Sequence, residues 1–179
     1  MNKKQLLLHT CCAPCVTVPF ERLRADYEIT CFFYNPNIHP EEAYNKRLAE
    51  LTNFADQLKI PLVIAEYDVN HWMELVRGLE AEPEKGRRCK VCFAMRLQRT
   101  ATFARENGFS CFSTTLTLSP HKNSNLINQI GIEQQRATNI PFLEENFKKS
   151  DGYKHSLELS RVYNLFRQNY CGCIFSQKS

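Results

Sequence analysis

Gln5-Leu6-Leu7-Leu8-His9-Thr10-Cys11-Cys12-Ala13-Pro14-Cys15 is the stretch on which the fold turns. A short apolar run stops at two adjacent cysteines and a proline, the pattern of a buried strand ending in a loop. Outward from it the chain alternates. Val16 to Ala25 reads as a helix with Pro19 in its first turn. Ile29 to Tyr34 is rich in β-branched and aromatic residues and is ended by Asn35-Pro36-Asn37, so it reads as a second strand. Pro40 to Leu58 carries Glu41 and Glu42 in its first turn and Tyr44, Leu48, Leu51, Phe54 and Leu58 at helical spacing. Leu62 to Ile64 makes a third strand, Val69 to Gly78 a short helix around the only tryptophan, Trp72, and Glu80 to Arg88 an exposed loop. Cys89 to Asn107 is a long helical pattern closed by Gly108, Phe109 to Leu116 a fourth strand, Asn123 to Thr138 a helix, and Leu157 to Phe166 the last helix. This alternation predicts one α/β domain over residues 1–179: a Rossmann-like parallel sheet flanked by helices, with a cysteine-bearing C-terminal segment. Ligands of such sheets sit beyond the carboxyl ends of the strands, where Cys11-Cys12 and Ser113-Thr114-Thr115 fall.

The 179 residues are enough for a hydrophobic core without disulfide staples. With 43% hydrophobic and 23% charged residues, the composition is that of an ordinary globular protein. No apolar run approaches the length of a membrane span, and the apolar segment after Met1-Asn2-Lys3-Lys4 is too short for a signal peptide. A cytoplasmic location is therefore expected, where thiols stay reduced. Nine cysteines then point to metal ligation or redox catalysis. A net charge of +4 permits a polyanionic partner such as RNA without requiring one.

Cys89-Lys90-Val91-Cys92 lets two thiolates reach one metal from a single turn, and a helix N-terminus favours the thiolate form. Cys11-Cys12, in a loop, can turn both thiols toward the same centre. Together they make four thiolates, the ligand set of a [4Fe-4S] cluster or of a structural zinc site, and composition does not choose between them. Cys171-Gly172-Cys173 is a third pair, with glycine allowing a sharp turn. A disulfide over so short a loop would be strained and readily reduced, which suits a redox shuttle better than a staple. Cys31 and Cys111 fall inside strands and read as core, whereas Cys15 shares the loop of Cys11-Cys12 and could join that centre, as a ligand to a second metal.

Arg87, Arg88, Arg96, Arg99 and Arg105 surround the C-x-x-C helix, and Lys148, Lys149, Lys154, Arg161 and Arg167 lie along the tail. These two clusters fit a polyanion approaching a redox site, and the interleaved Phe147, Tyr153, Tyr163, Phe166 and Tyr170 fit stacking on an extruded base, or else core packing. Asp151, His121 and His155 are the candidate acids.

The ordered set His9-Thr10-Cys11-Cys12-Ala13-Pro14-Cys15, Arg88-Cys89-Lys90-Val91-Cys92 with Arg96, Ser113 through Asn123, Lys148 through Tyr153, and Tyr163 through Cys173 closely resembles the QueH-type epoxyqueuosine reductases. The resemblance implies reduction of epoxyqueuosine to queuosine, the last step in making this base at the wobble position of certain tRNAs, without cobalamin. It implies a [4Fe-4S] cluster on Cys11, Cys12, Cys89 and Cys92, a redox-active disulfide of Cys171 with Cys173, and, in some members, an additional iron. It makes the anticodon region of tRNA the partner. The reduction also needs an electron donor, which the sequence does not identify, and Asp151 is the acid expected to protonate the departing oxygen. It also implies a fold like that of the tRNA-thiolating PP-loop enzymes. The Ser-Gly-Gly phosphate cradle of those enzymes is replaced here by Thr10-Cys11-Cys12, which argues against a tRNA sulfurtransferase using ATP. A zinc-stabilised RNA-binding module is the other competing reading, and it gives no reason for Cys-Gly-Cys.

Overall fold

The computed structural model describes residues 3–176. Its centre is a four-stranded parallel sheet in the order β3-β2-β1-β4. β1 (Lys4–His9) and β2 (Tyr27–Phe33) are buried over most of their length, as parallel strands covered on both faces must be. β3 (Leu62–Ile64) is a short edge strand. β4 (Cys111–Thr114) forms the other edge. There Phe112 exchanges backbone hydrogen bonds with Pro141 and Leu143, so the segment after the fifth helix covers the unpaired strand. The helices are α1 (Ala13–Leu23), α2 (Glu41–Leu58), α3 (Val69–Leu75), α4 (Arg87–Glu106), α5 (Ser124–Thr138) and α6 (Gly152–Val162). None is long and apolar enough to cross a membrane.

β2 and β3 lie on one side of β1 and β4 on the other, so the chain reverses its winding between β1 and β4. That is the topological switch point, where the two crossovers diverge and leave a crevice at the carboxyl ends. Cys11 and Thr115 stand at this crevice, one residue or two beyond their strands.

Several boundaries depart from the expectations. α1 begins at Ala13, with Pro14 rather than Pro19 in its first turn; Pro14 presets the helical φ where no N–H is needed. β4 stops at Thr114 because the Thr114 hydroxyl takes the Leu116 N–H and starts a single 3-10 turn, Thr115–Leu118. α6 begins earlier than Leu157 and ends at Val162. Ser150 and Asp151 have positive φ, and a Cβ on Gly152 would sit 1.8 Å from the Phe147 carbonyl oxygen, so only glycine fits that start. Asn164, also at positive φ, helps stop the helix before Phe166.

Candidate functional site

The start of α1 decides where the first thiols go. Cys12 is the N-cap residue and Cys15 lies three residues on, so both fall on one face of the first turn. The Cys12 and Cys15 sulfurs are 2.9 Å apart and those of Cys11 and Cys12 are 3.8 Å apart. All three lie within 4.8 Å of one another, a spacing that one metal centre could span. Hydrogen bonds from Cys12 and then Cys15 hold the Cys11 thiol well below its ordinary range, and Lys122 and Arg96 push the same way against burial. Cys12 is driven up by its bond to Cys11, and Cys15 is pushed up to about 12 chiefly by Cys11 as well. One thiolate shared among three sulfurs is what such a trio sustains, and a cation could take the place of the protons. The sequence left Cys15 in a loop; Pro14 is the signal that puts it on the helix.

His9, immediately before this turn, is fully buried. Its Nε2 lies 3.2 Å from the Tyr34 carbonyl, which can only accept, so Nε2 carries the hydrogen and Nδ1 accepts from the Thr114 hydroxyl at 3.1 Å. Burial, with Arg96 nearby, lowers its pKa to about 3, so the ring is neutral and ties β1 to β2 and β4 beneath the cysteines.

Cys89 and Cys92 project from the first turns of α4 into a cleft that Cys171 and Cys173 also line, with Asn37, Trp72, Arg96, His121 and Lys122. Cys11 and Cys89 pack against the same apolar group of Phe93, Leu97, Leu116, Ile127 and Ile130, so the trio and the cleft adjoin. Burial pushes Cys92 up to about 12 and raises Cys89, so here burial outweighs the expected help of the helix N-terminus. Cys31 and Cys111 are core residues, as expected. Asp151 is exposed at the start of α6 and is not among the residues lining the cleft; its carbonyl accepts the His155 N–H.

Three buried arginines shape this region, and two of them have a task other than the one expected from their spacing. Arg88 and Arg96 do not form an exposed basic face. Arg88 donates to the carbonyls of Leu79, Glu80 and Glu82 and lies over Phe175, fixing the loop before α4; Arg96 donates to the Cys92 carbonyl. Arg47, from α2, is the residue that sequence reading missed. Its two terminal nitrogens donate to the carbonyls of Tyr170 and Cys171, each at 3.1 Å. The His39 N–H reaches the Gly172 carbonyl at 2.7 Å, and the Tyr170 hydroxyl returns to the His39 carbonyl. Among the described residues none of these three guanidiniums meets a carboxylate, in contrast to Arg87 with Glu82 and Arg99 with Glu66. Their charges suit a site that carries negative charge of its own, as thiolates do. The tail aromatics are mostly structural: Phe147 is core, Tyr163 packs edge-on against Phe54, and Phe166 is half exposed under Lys46.

The model of the family described as epoxyqueuosine reductase QueH matches residues 6–179. The chain belongs to the QueH family. Among its QueH relatives, that of Acinetobacter baylyi is 44% identical, covering 98% of this chain and 81% of the relative. That of Streptococcus pyogenes serotype M1 is 42% identical over 98% and 71%, and that of Thermotoga maritima 37% identical over 96% and 89%. QueH proteins are epoxyqueuosine reductases, and this chain is accordingly an oxidoreductase acting in queuosine formation. Two solved structures share the fold. U34-tRNA thiolase NcsA from Methanococcus maripaludis, with its [4Fe-4S] cluster, superposes with a TM-score of 0.61 at 11% identity, covering 100% of this chain and 63% of that one. A predicted subunit of tRNA methyltransferase from Methanocaldococcus jannaschii gives 0.57 at 13%, covering 87% and 74%. The expected thiolase-like sheet is thus the observed one.

Proposed function

We propose that the protein reduces epoxyqueuosine to queuosine in the anticodon region of tRNA at the crevice between β1 and β4, using Cys11, Cys12, Cys89 and Cys92 as a cluster cage and Cys171 with Cys173 as a redox pair. The observation that carries this reading is the convergence of three sequence-distant cysteine groups on one crevice and its adjoining cleft. The donor set fits an iron–sulfur centre: soft thiols, partly shielded from water, beside buried cations that meet no carboxylate among the described residues. A [4Fe-4S] cluster held there would supply electrons one at a time, and Cys15 would be the thiol left over for an additional iron.

The chain's own residues do the rest. Opening an epoxide to an alkene breaks both C–O bonds, consumes two electrons and two protons, and releases water. Two thiols going to a disulfide release two electrons and two protons, so Cys171 and Cys173 match the demand of one turnover; an external electron donor then restores them. The turn at Gly172 and the grip of Arg47 hold both thiols in the cleft. For the proton on the departing oxygen, Asp151 is the group proposed from sequence and His121 is a group that lines the cleft. Asp151→Asn and His121→Gln separate them, because loss of the true donor lowers kcat and shifts its pH profile.

The deciding test is nucleoside analysis of tRNA from cells lacking the protein and any second reductase. Accumulated epoxyqueuosine supports the reading; unchanged queuosine overturns it. Anaerobically purified protein should carry iron and sulfide, and stoichiometric zinc in their place would remove the redox chemistry. Full turnover by Cys171→Ser under a chemical reductant would take the thiol pair out of the chemical step.

A further inference from the structure

Folded proteins leave few buried polar atoms unpaired, because each loses its water without replacement. Asn37 and Trp72 break this rule together. Asn37 Oδ1 and Trp72 Nε1 are both buried with no hydrogen-bond partner among the described residues, in side chains only 2% and 0% exposed. Arg88 also has an unpaired Nε, but its terminal nitrogen binds three carbonyls; the side chains of Asn37 and Trp72 make no hydrogen bond among the described residues. Both residues line the cleft of Cys89, Cys92, Cys171 and Cys173. They arrive from separate elements, Asn37 from the turn after β2 and Trp72 from α3. One offers an acceptor and the other a donor that cannot accept.

We infer that Asn37 and Trp72 are substrate-orienting residues: the indole N–H donates to the epoxide oxygen, and the Asn37 side chain accepts from an O–H or N–H of the same modified base. This rests on the proposed function and names the groups that would position its substrate. An epoxide oxygen can only accept, so a donor-only indole in an apolar wall is matched to it. The pairing also accounts for a structure that tolerates two unpaired polar groups beside its thiols: their partner arrives with the substrate. A site built this way rejects an analogue that lacks the oxygen, since binding it would leave the same atoms unpaired.

The test uses iron-loaded enzyme and tRNA carrying epoxyqueuosine. Trp72→Phe keeps an aromatic ring and removes the N–H; Asn37→Leu removes the acceptor. Each should lower kcat/KM about tenfold, mainly through KM, as loss of one buried hydrogen bond to substrate does. The melting temperature of substrate-free Asn37→Leu should not fall, because the atom removed had no partner in the protein; a structural role would lower it. If Asn37→Leu does not fold, Asn37→Ser carries the same kinetic test. Trp72 is the only tryptophan, so tryptophan-selective emission of the native enzyme reports on this wall alone. Adding epoxyqueuosine-bearing tRNA should change it more than adding unmodified tRNA. Unchanged KM in both variants, or equal emission with both tRNAs, overturns the inference while leaving the reductase reading intact. Failure of the native enzyme to turn over would instead sink that reading.

Discussion

The two thiol-bearing regions are built in opposite ways. Cys11, Cys12 and Cys15 come together within five residues because β1 ends and α1 begins there, on a strand whose Leu6, Leu7 and Leu8 are fully buried. Their placement is local and inherits the rigidity of the sheet. The cleft joins α4 to a tail some eighty residues further along the chain, and the joint is a handful of long-range polar contacts: Arg47 to two carbonyls, the His39 N–H to a third, and Arg88 beneath Phe175. The lesson is that a thiol cluster can be encoded in a motif, whereas the cleft beside it depends on residues with no motif of their own.

Substitutions can break this contrast, the heaviest first. Cys12→Ser should strip iron and sulfide from anaerobically purified protein and cut turnover on the order of 100-fold or more, since even groups that merely support a metal ligand account for 10- to 100-fold. Arg47→Met should leave two part-buried carbonyls without this donor and loosen the tail by about 1–3 kcal/mol. Hydrogen exchange at residues 168–173 should rise while iron content stays at the parental level. Equal loss of iron in this variant would mean that the two regions are one. Gly172→Ala acts on the same joint more weakly. Gly172 sits at φ +106°, and a Cβ there would lie 2.8 Å from Ile38 Cγ1 and 3.0 Å from Arg47 Nη1. About 1–3 kcal/mol of local destabilisation is expected, seen as faster alkylation of Cys173.

The smallest effect lies outside both regions and serves as a control. His155 on α6 pairs with Glu21 on α1 at 2.6 Å and with Glu158, and these carboxylates raise its pKa above 6.5, Glu21 contributing most. The stabilisation is complete below the unfolded value and is lost as pH rises through the folded one. The pair is exposed, so about 0.5 kcal/mol is involved. His155→Gln should flatten the melting temperature between mildly acidic and alkaline pH without touching iron content or KM.

The sheet and its order of elements were legible because parallel strands buried on both faces leave continuous apolar runs, as Leu6-Leu7-Leu8 and Cys31-Phe32-Phe33 do. Cys89 and Cys92 were legible because their spacing is a helical turn. Cys15 was half legible: Pro14 marks the helix start, but proline in a loop looks the same in sequence. The burial of Arg88 and Arg96 could not be read, because an arginine that binds carbonyls inside a protein carries the same letter as one in water. Arg47 sits among Tyr44, Leu48 and Leu51, and the periodicity that finds those three says nothing of a guanidinium whose partners lie more than 120 positions away.

The hold of Arg47 on Tyr170 and Cys171 also bears on the order in which the molecule is made. Translation delivers residues 11–15 first, 89–92 next and 171–173 last. Arg47 has already been made when the tail that it fastens emerges. A metal delivered during synthesis would therefore meet an unfinished vestibule, with one wall still missing. A metal lost later would have to leave past a fastened one, so loading and unloading would follow different routes.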